Sequence, residues 1–141
     1  MRYMIIVRAN AESEAGVMPS EAKFTEMARF HEELAKAGVL VDGSGLQSSA
    51  HGWRIHYDGA QRSVVDGPFA ETKELIAGYT IIKVATPEEA LALSRRFPNP
   101  RLDDGPCHIE VRRMFDMEDF EGLPGIEQFE GRGLEGKLGG A

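Results

Sequence analysis

Thr86-Pro87-Glu88-Glu89 constrains the fold more than any other stretch, because it writes a helix start between two strand-like segments. Threonine serves as N-cap, proline takes the first helical position where its missing N–H is no loss, and glutamate stands at the third, a capping-box arrangement. This helix must stop before Pro98. Tyr79 to Ala85 ahead of it reads as a strand. Behind it Cys107, Ile109 and Val111 alternate with His108, Glu110 and Arg112, so the last strand is expected to have one buried and one polar face. On that alternation Cys107 is a buried packing thiol and His108 faces solvent.

The first half repeats the theme. Residues 2 to 8 read as a buried strand, and the apolar run Tyr3 to Val7 before Arg8 is too short for a signal-peptide core or a membrane span. Ser20 after Pro19 is an N-cap for a helix to Ala37, with Gly38 as its stop. Phe24, Met27, Ala28, His31, Leu34 and Ala35 recur at three and four residues and make one apolar stripe. Strand-like segments follow at 39–41 and 53–57, and Asp58-Gly59 signals a hairpin into 62–66. The order is β, α, β-hairpin, β, α, β. That is the split βαβ of a ferredoxin-like α+β domain, an antiparallel sheet with two helices on one face and an inserted hairpin. Two helices cover only one face, so the other, if apolar, must be buried by something else, most simply the sheet of a second copy; a homodimer is expected.

At 141 residues with 42% hydrophobic content, the chain is one ordinary domain with enough apolar material for a core. Sixteen Lys and Arg against 23 Asp and Glu leave a net charge of −7, and no basic block gathers to neutralise phosphates, which argues against a nucleic-acid partner. A single cysteine excludes an internal disulfide and a cysteine metal cage, making a cytoplasmic location the default. The domain is expected to span residues 1–116. Residues 117–141 carry seven of the 16 glycines and −4 of the charge, composing an acidic tail that does not fold alone. Disorder is expected beyond about residue 130, yet Phe120, Leu123, Ile126 and Phe129 are spaced three apart and suit docking on the core or on a second subunit.

The most distinctive stretch is Asp66-Gly67-Pro68-Phe69-Ala70-Glu71-Thr72-Lys73-Glu74, where Gly-Pro ends a strand abruptly. Asp66 here is either the cap of an Asx-type turn, with Glu71, Lys73 and Glu74 solvated around it, or a carboxylate held at a strand end facing a cavity. Four segments, SEAGVMPSE at 13–21, EELAKAGVLVDGSGL at 32–46, DGPFAETKELIAGY at 66–79 and IEVRRMFDMEDF at 109–120, together resemble the DGPF-domain branch of the YCII-related proteins in the same order. The resemblance implies a ferredoxin-like fold of the dimeric α/β-barrel type. It implies little about activity: members are mostly of unassigned function, some distant relatives are thought to use a His/Asp pair in a cleft, and certain DGPF proteins are linked genetically to extracytoplasmic-function sigma factors. Asp66 carries over as the motif aspartate, with weaker transfer for Gly67, Pro68, Phe69, Glu71 and Lys73. Where that branch often has histidine after Leu46, this chain has Gln47.

A carboxylate that holds an imidazole in one tautomer prepares it for proton transfer near neutral pH, so histidines are the natural partners of Asp66. His31, on the helix stripe, is either a satisfied core histidine or the first choice for a site group. His56 is the second choice and shares a strand face with Arg54, opposite Trp53, Ile55 and Tyr57. His51, before Gly52, is expected to be solvated. Ser13 and Glu14, in the loop after the first strand, are placed to cover a cavity mouth. Gly43-Ser44-Gly45 lacks the lysine of a phosphate loop and reads as a turn, and His56-Tyr57-Asp58 is too short to be a metal motif; no metal or cofactor is expected. Two readings follow. One is an enzyme that moves a proton on a small molecule with Asp66 and a histidine. The other is a non-catalytic module that binds a metabolite or a protein partner, with Ser13, Glu14, Arg54, Phe69, Glu71 and Lys73 as ligand contacts.

Overall fold

The computed structural model describes residues 1–129. Its elements are β1 (Arg2–Arg8), α1 (Ala11–Glu14), α2 (Glu21–Lys36), β2 (Leu40–Gly45), β3 (Trp53–Asp58), β4 (Gln61–Asp66), β5 (Ile76–Lys83), α3 (Pro87–Arg95) and β6 (Ile109–Arg113). Short 3₁₀ turns at Ser49–His51, Thr72–Glu74, Met117–Phe120 and Ile126–Gln128 join them. The main sheet is antiparallel in the order β2-β5-β1-β6, the strand order of a split βαβ, while β3 and β4 form a separate two-stranded sheet. The protein is therefore α+β.

Both long helices start where the sequence places their caps. Ser20 Oγ accepts the amide of Lys23 at 3.2 Å, and Gly38 with φ +74° ends α2. Thr86 Oγ1 accepts the amide of Glu89 at 3.2 Å, and Glu89 reaches back one residue further than expected, to the amide of Ala85 at 3.1 Å. The short α1 was not foreseen. It is nucleated by Asn10 and Ser13, each side chain accepting the other's amide at 2.9 Å, a box built without Glu or Gln.

Ile5, Phe30, Leu34, Ile82, Val84 and Ala90 form the core between the sheet and its two helices. The expected stripe on α2 is corrected in one respect: Phe30 and Leu34 are buried, whereas Phe24 is 65% exposed. The helix turns its Phe30–Leu34 side to the sheet and its Phe24–His31 side to an open space. Cys107 is also corrected. It is exposed and lies 3.2 Å from Asn99 Oδ1, because β6 begins only at Ile109 and Cys107 precedes it. Gly43-Ser44-Gly45 is not a turn but the end of β2.

The helix-free face of the sheet is mixed. Register places Met4, Ile6 and Ile81 there with Glu110 and Arg112, and Arg8 and Arg112 both reach Glu110, at 2.8 and 3.2 Å. After β6 the chain is tied back by a buried pair, Arg2 Nε to Asp116 Oδ1 at 3.2 Å. The three-residue spacing of the tail is that of 3₁₀ hydrogen bonding: Leu123 bonds to Phe120, Ile126 to Leu123 and Phe129 to Ile126. The disorder expected beyond residue 130 lies outside the described residues.

Candidate functional site

A cavity of about 910 Å³ opens between α2 and the sheet. It exists because side chains are missing. Gly43 faces Thr80 and Gly45 faces Gly78 across the β2–β5 ladder, so three positions that could have filled the gap to the helix carry no Cβ. Gly78 is required by close approach, since a Cβ there would stand 2.9 Å from the Ser44 carbonyl oxygen. Gly45 is different: a Cβ would meet only the Ala77 carbonyl oxygen at 4.0 Å and otherwise enter open space. Phe24, Met27, Phe97 and Leu46 supply apolar wall.

His31 and Thr80 form a polar pair in this wall. His31 Nδ1 lies 2.8 Å from the Met27 carbonyl oxygen and Nε2 lies 2.7 Å from Thr80 Oγ1. A carbonyl only accepts, so Nδ1 carries a hydrogen; in the neutral ring Nε2 is then the acceptor of the Thr80 hydroxyl. The ring sits edge-on to Phe30 and Phe97, and Gly43 lies beneath it, where a Cβ would be in ordinary contact with the imidazole at 3.6 Å. Ser13, Gln47, Ser48 and His51 add further polar atoms to the lining. His51 was expected in solvent; it is exposed but borders the cavity, on the 3₁₀ turn Ser49–His51.

Charge is scarce here. Lys23 and Glu12 border the cavity, and the Lys23 ammonium is already engaged with the Asn99 carbonyl at 2.8 Å, with Asp104, and with Glu26 at 3.7 Å. The hydrogen bond to Asp104 holds Lys23 above the usual lysine range. On the helix-free face of the sheet Tyr79 donates to Asp42 at 3.1 Å, and that bond raises its phenol above the ordinary value. Among the described residues, no group of three or more His, Cys, Asp or Glu side chains could hold a metal ion.

Of the residues singled out from sequence, His31 and Ser13 line the cavity, and Glu14 sits one residue beyond. Glu14 accepts the amide of Ser49 at 3.0 Å and also its hydroxyl, while Ser49 Oγ accepts the amide of Phe69 at 2.9 Å. Arg54 stacks on the Phe69 ring with Cζ 3.9 Å from its centroid. The 66–69 turn thus props the segment that carries Ser48 and His51, and does not itself line the cavity. Asp66 makes no side-chain hydrogen bond among the described residues, so the expected Asx-type cap is not formed. Gly67 instead donates to the Gly52 carbonyl at 3.0 Å. Asp66 pairs with Trp53 and His56 with Ser63, which puts Asp66 and His56 on opposite faces of the hairpin. No hydrogen bond joins Asp66 to a histidine. Glu71, just before the turn Thr72–Glu74, and Lys73, within it, are exposed.

Among the described residues no helix is long and apolar enough to cross a membrane. The chain is 28% identical over 95 residues to an uncharacterized protein of Rhizobium meliloti, a match covering 67% of this chain and 77% of that one. Its fold is similar, with a TM-score of 0.45 and 12% identity, to the 5-chloro-2-hydroxyhydroquinone dehydrochlorinase of Burkholderia phenoliruptrix, over 82% of this chain and 95% of the other. The model of the YCII-related domain matches residues 1–118, nearly the whole described chain, and the protein belongs to the YCII-related domain family.

Proposed function

We propose that the chain binds a small, uncharged, largely apolar organic molecule in the cavity between α2 and the sheet, and that His31 accepts a proton from it. The observation that carries this reading is the His31 imidazole, whose Nδ1–H is committed to a main-chain carbonyl and whose basic Nε2 is held on Thr80 Oγ1 in the cavity wall. A base oriented by a third group is the arrangement that proton transfer needs. The engaged ammonium of Lys23 argues against an anionic ligand, which would need a cation with free donors. Apolar walls with a few convergent polar groups suit an uncharged one. In this reading the chain is a member of the DGPF branch with the dimeric α/β-barrel arrangement, which the DGPF-type segment supports, and the role of that segment is to prop the cavity rim through Phe69 and Ser49. Asp66 enters a His31 site only if a second copy supplies it.

A second reading, binding without turnover, is favoured by one fact: both ring nitrogens of His31 already have partners. A thermal-shift screen of neutral, anionic and cationic small molecules separates the outcomes. A cavity ligand at a hundred times its Kd stabilises the folded state by about 2.7 kcal/mol. That shift should vanish in Gly45→Leu, whose side chain enters the open space. Ligands that stabilise both proteins equally bind elsewhere and end the proposal. Turnover of a hit that is lost in His31→Gln, with binding kept, makes the protein an enzyme; binding alone supports the second reading.

A further inference from the structure

We propose that residues 98–108 form a flap over the cavity between α2 and the sheet, with Leu102 as the side chain that turns inward and the Lys23 ammonium as the latch that holds the flap shut. The inference rests on that cavity being the ligand site and adds its entrance. The segment joins α3 to β6, and Asn99, Pro100 and Leu102 line the cavity. Leu102 is half-buried, whereas Asp103, Asp104, Pro106 and Cys107 are exposed, so an apolar side chain of the loop faces in while its acids face out.

The flap is knit to itself and hardly to its surroundings. Arg101 grips Asp103 with two bonds, at 2.8 and 2.7 Å, and donates to the Pro106 carbonyl at 3.1 Å. Asn99 accepts the Arg101 amide at 2.9 Å and donates to the Gly105 carbonyl at 3.1 Å. Gly105 is wrapped so closely that a Cβ there would stand 2.9 Å from the Arg101 guanidinium carbon. A compact surface loop packed by its own side chains is stiff. Among the described residues, by contrast, no main-chain hydrogen bond joins residues 98–108 to another segment. The polar attachment comes from one side chain on α2: Lys23 donates to the Asn99 carbonyl at 2.8 Å and to Asp104. That side chain is only 10% exposed, so the ammonium is clamped between helix and flap. A segment with few bonds to its neighbours opens more readily than the elements around it, and loops that cover ligand sites belong to that class. Release of Lys23 and of the Leu102 contacts lets a ligand in without any movement of the sheet or of α2.

Thiol labelling of the full chain tests the flap without any ligand. In Leu102→Cys/Cys107→Ser the introduced thiol should react with N-ethylmaleimide more slowly than native Cys107, which is exposed. Adding Lys23→Met keeps the apolar stem and removes the latch, and should speed labelling about tenfold, as expected for the loss of a charge-assisted hydrogen bond. Asp104→Asn leaves the Asn99 bond in place and should give a smaller acceleration. Amide exchange at Gly105, whose N–H is bonded to Asp103 at 2.9 Å within the flap, should stay the same in all of them. The proposal is overturned by labelling that Lys23→Met leaves unchanged, by an introduced thiol as fast as Cys107 from the outset, or by faster exchange at Gly105, the mark of a melting loop. Stopped-flow binding of the uncharged dye N-phenyl-1-naphthylamine tests the entrance. Its association with Lys23→Met should be faster than with wild type by a similar factor, and an unchanged rate removes the flap as the way in. Failure of the cavity reading looks different: the dye then binds Gly45→Leu as well as wild type, or binds neither, while the labelling result stands.

Discussion

Glu14 gives both carboxylate oxygens to Ser49, and the Oγ of that serine in turn accepts the amide of Phe69 at 2.9 Å. Three segments far apart in sequence meet at one hydroxyl. Around it, α1 contributes Ser13 to the cavity, and the 48–51 segment contributes Ser48 and His51. The Gly67 backbone closes the arrangement so tightly that a Cβ there would stand 1.8 Å from the Ser49 carbonyl oxygen. The signature turn of the sequence therefore acts on the cavity through its backbone, by fixing the rim, and not through its aspartate.

Ser49→Ala removes the central hydroxyl and leaves the Glu14 carboxylate and the Phe69 N–H each short of a partner. The site is partly open to water, so the expected loss is about 1.5–2 kcal/mol, the lower end of the range for a hydrogen bond to a charged group. Urea unfolding measures it, and amide exchange at Phe69 should accelerate in step. An unchanged exchange rate at Phe69 would show that Ser49 does not hold the turn. Gly67→Ala should be worse than Ser49→Ala, since backbone must move to admit the methyl group.

Arg2 and Asp116 pair across nearly the whole domain, with the guanidinium only 3% exposed and the carboxylate 11%. Arg2 also donates to the Phe115 carbonyl at 2.8 Å. Removing one partner of a buried pair strands the other, at about 3–5 kcal/mol. Asp116→Ala should therefore destabilise the protein on that scale, and the segment from Phe115 to Phe120 should become protease-sensitive. A loss below 1 kcal/mol in urea titration would mean that the main-chain bonds of Arg2 suffice.

Thr80→Val keeps the shape of a side chain that is 2% exposed while deleting the donor to His31 Nε2. An unsatisfied buried acceptor costs about 1–3 kcal/mol, and the half-buried imidazole places the loss at the lower end. Nitrogen-15 NMR of neutral wild-type protein should show the Nδ1–H form of His31. A dominant Nε2–H form would remove the basis for a proton acceptor at Nε2.

Features written in a few adjacent residues were legible in the sequence. The caps at Ser20 and Thr86 and the stop at Gly38 appear as read, because each depends on hydrogen bonds or backbone geometry within one element. The strand order followed from connecting those elements. The cavity was not legible, for a physical reason. Gly43 and Gly45 look like turn residues in isolation, and only the register against Thr80 and Gly78 reveals them as absent side chains beneath His31. Likewise the bond from Glu14 to Ser49 spans 35 residues, and no local pattern announces it. His31 was legible as a histidine on the apolar stripe of α2, whereas its partner is Thr80 and not a carboxylate.

Acid should weaken the fold through two carboxylates whose protons are held off by arginine. Glu110 is held below the usual carboxylate range first by its hydrogen bond to Arg8 and then by Arg112, and Asp103 by its bonds to Arg101 and to the Gly105 amide. For a group whose folded value is depressed, the unfolded chain binds more protons in the window between the two values, so stability rises with pH there. The contribution is complete above the unfolded value of about 4 and is lost as pH falls through the folded values. Lys23, raised by Asp104, acts at the other end: its contribution is lost only as pH rises past the lysine range. Glu110→Gln isolates one acid group. Between pH 5 and 7 the wild type should show the higher urea midpoint, and the gap should close as pH falls through about 4 toward 2. The gap should be small, because solvent screens a pair with about a third of each side chain exposed. A gap independent of pH would assign the effect of the substitution to packing on β6, and not to the charge of Glu110.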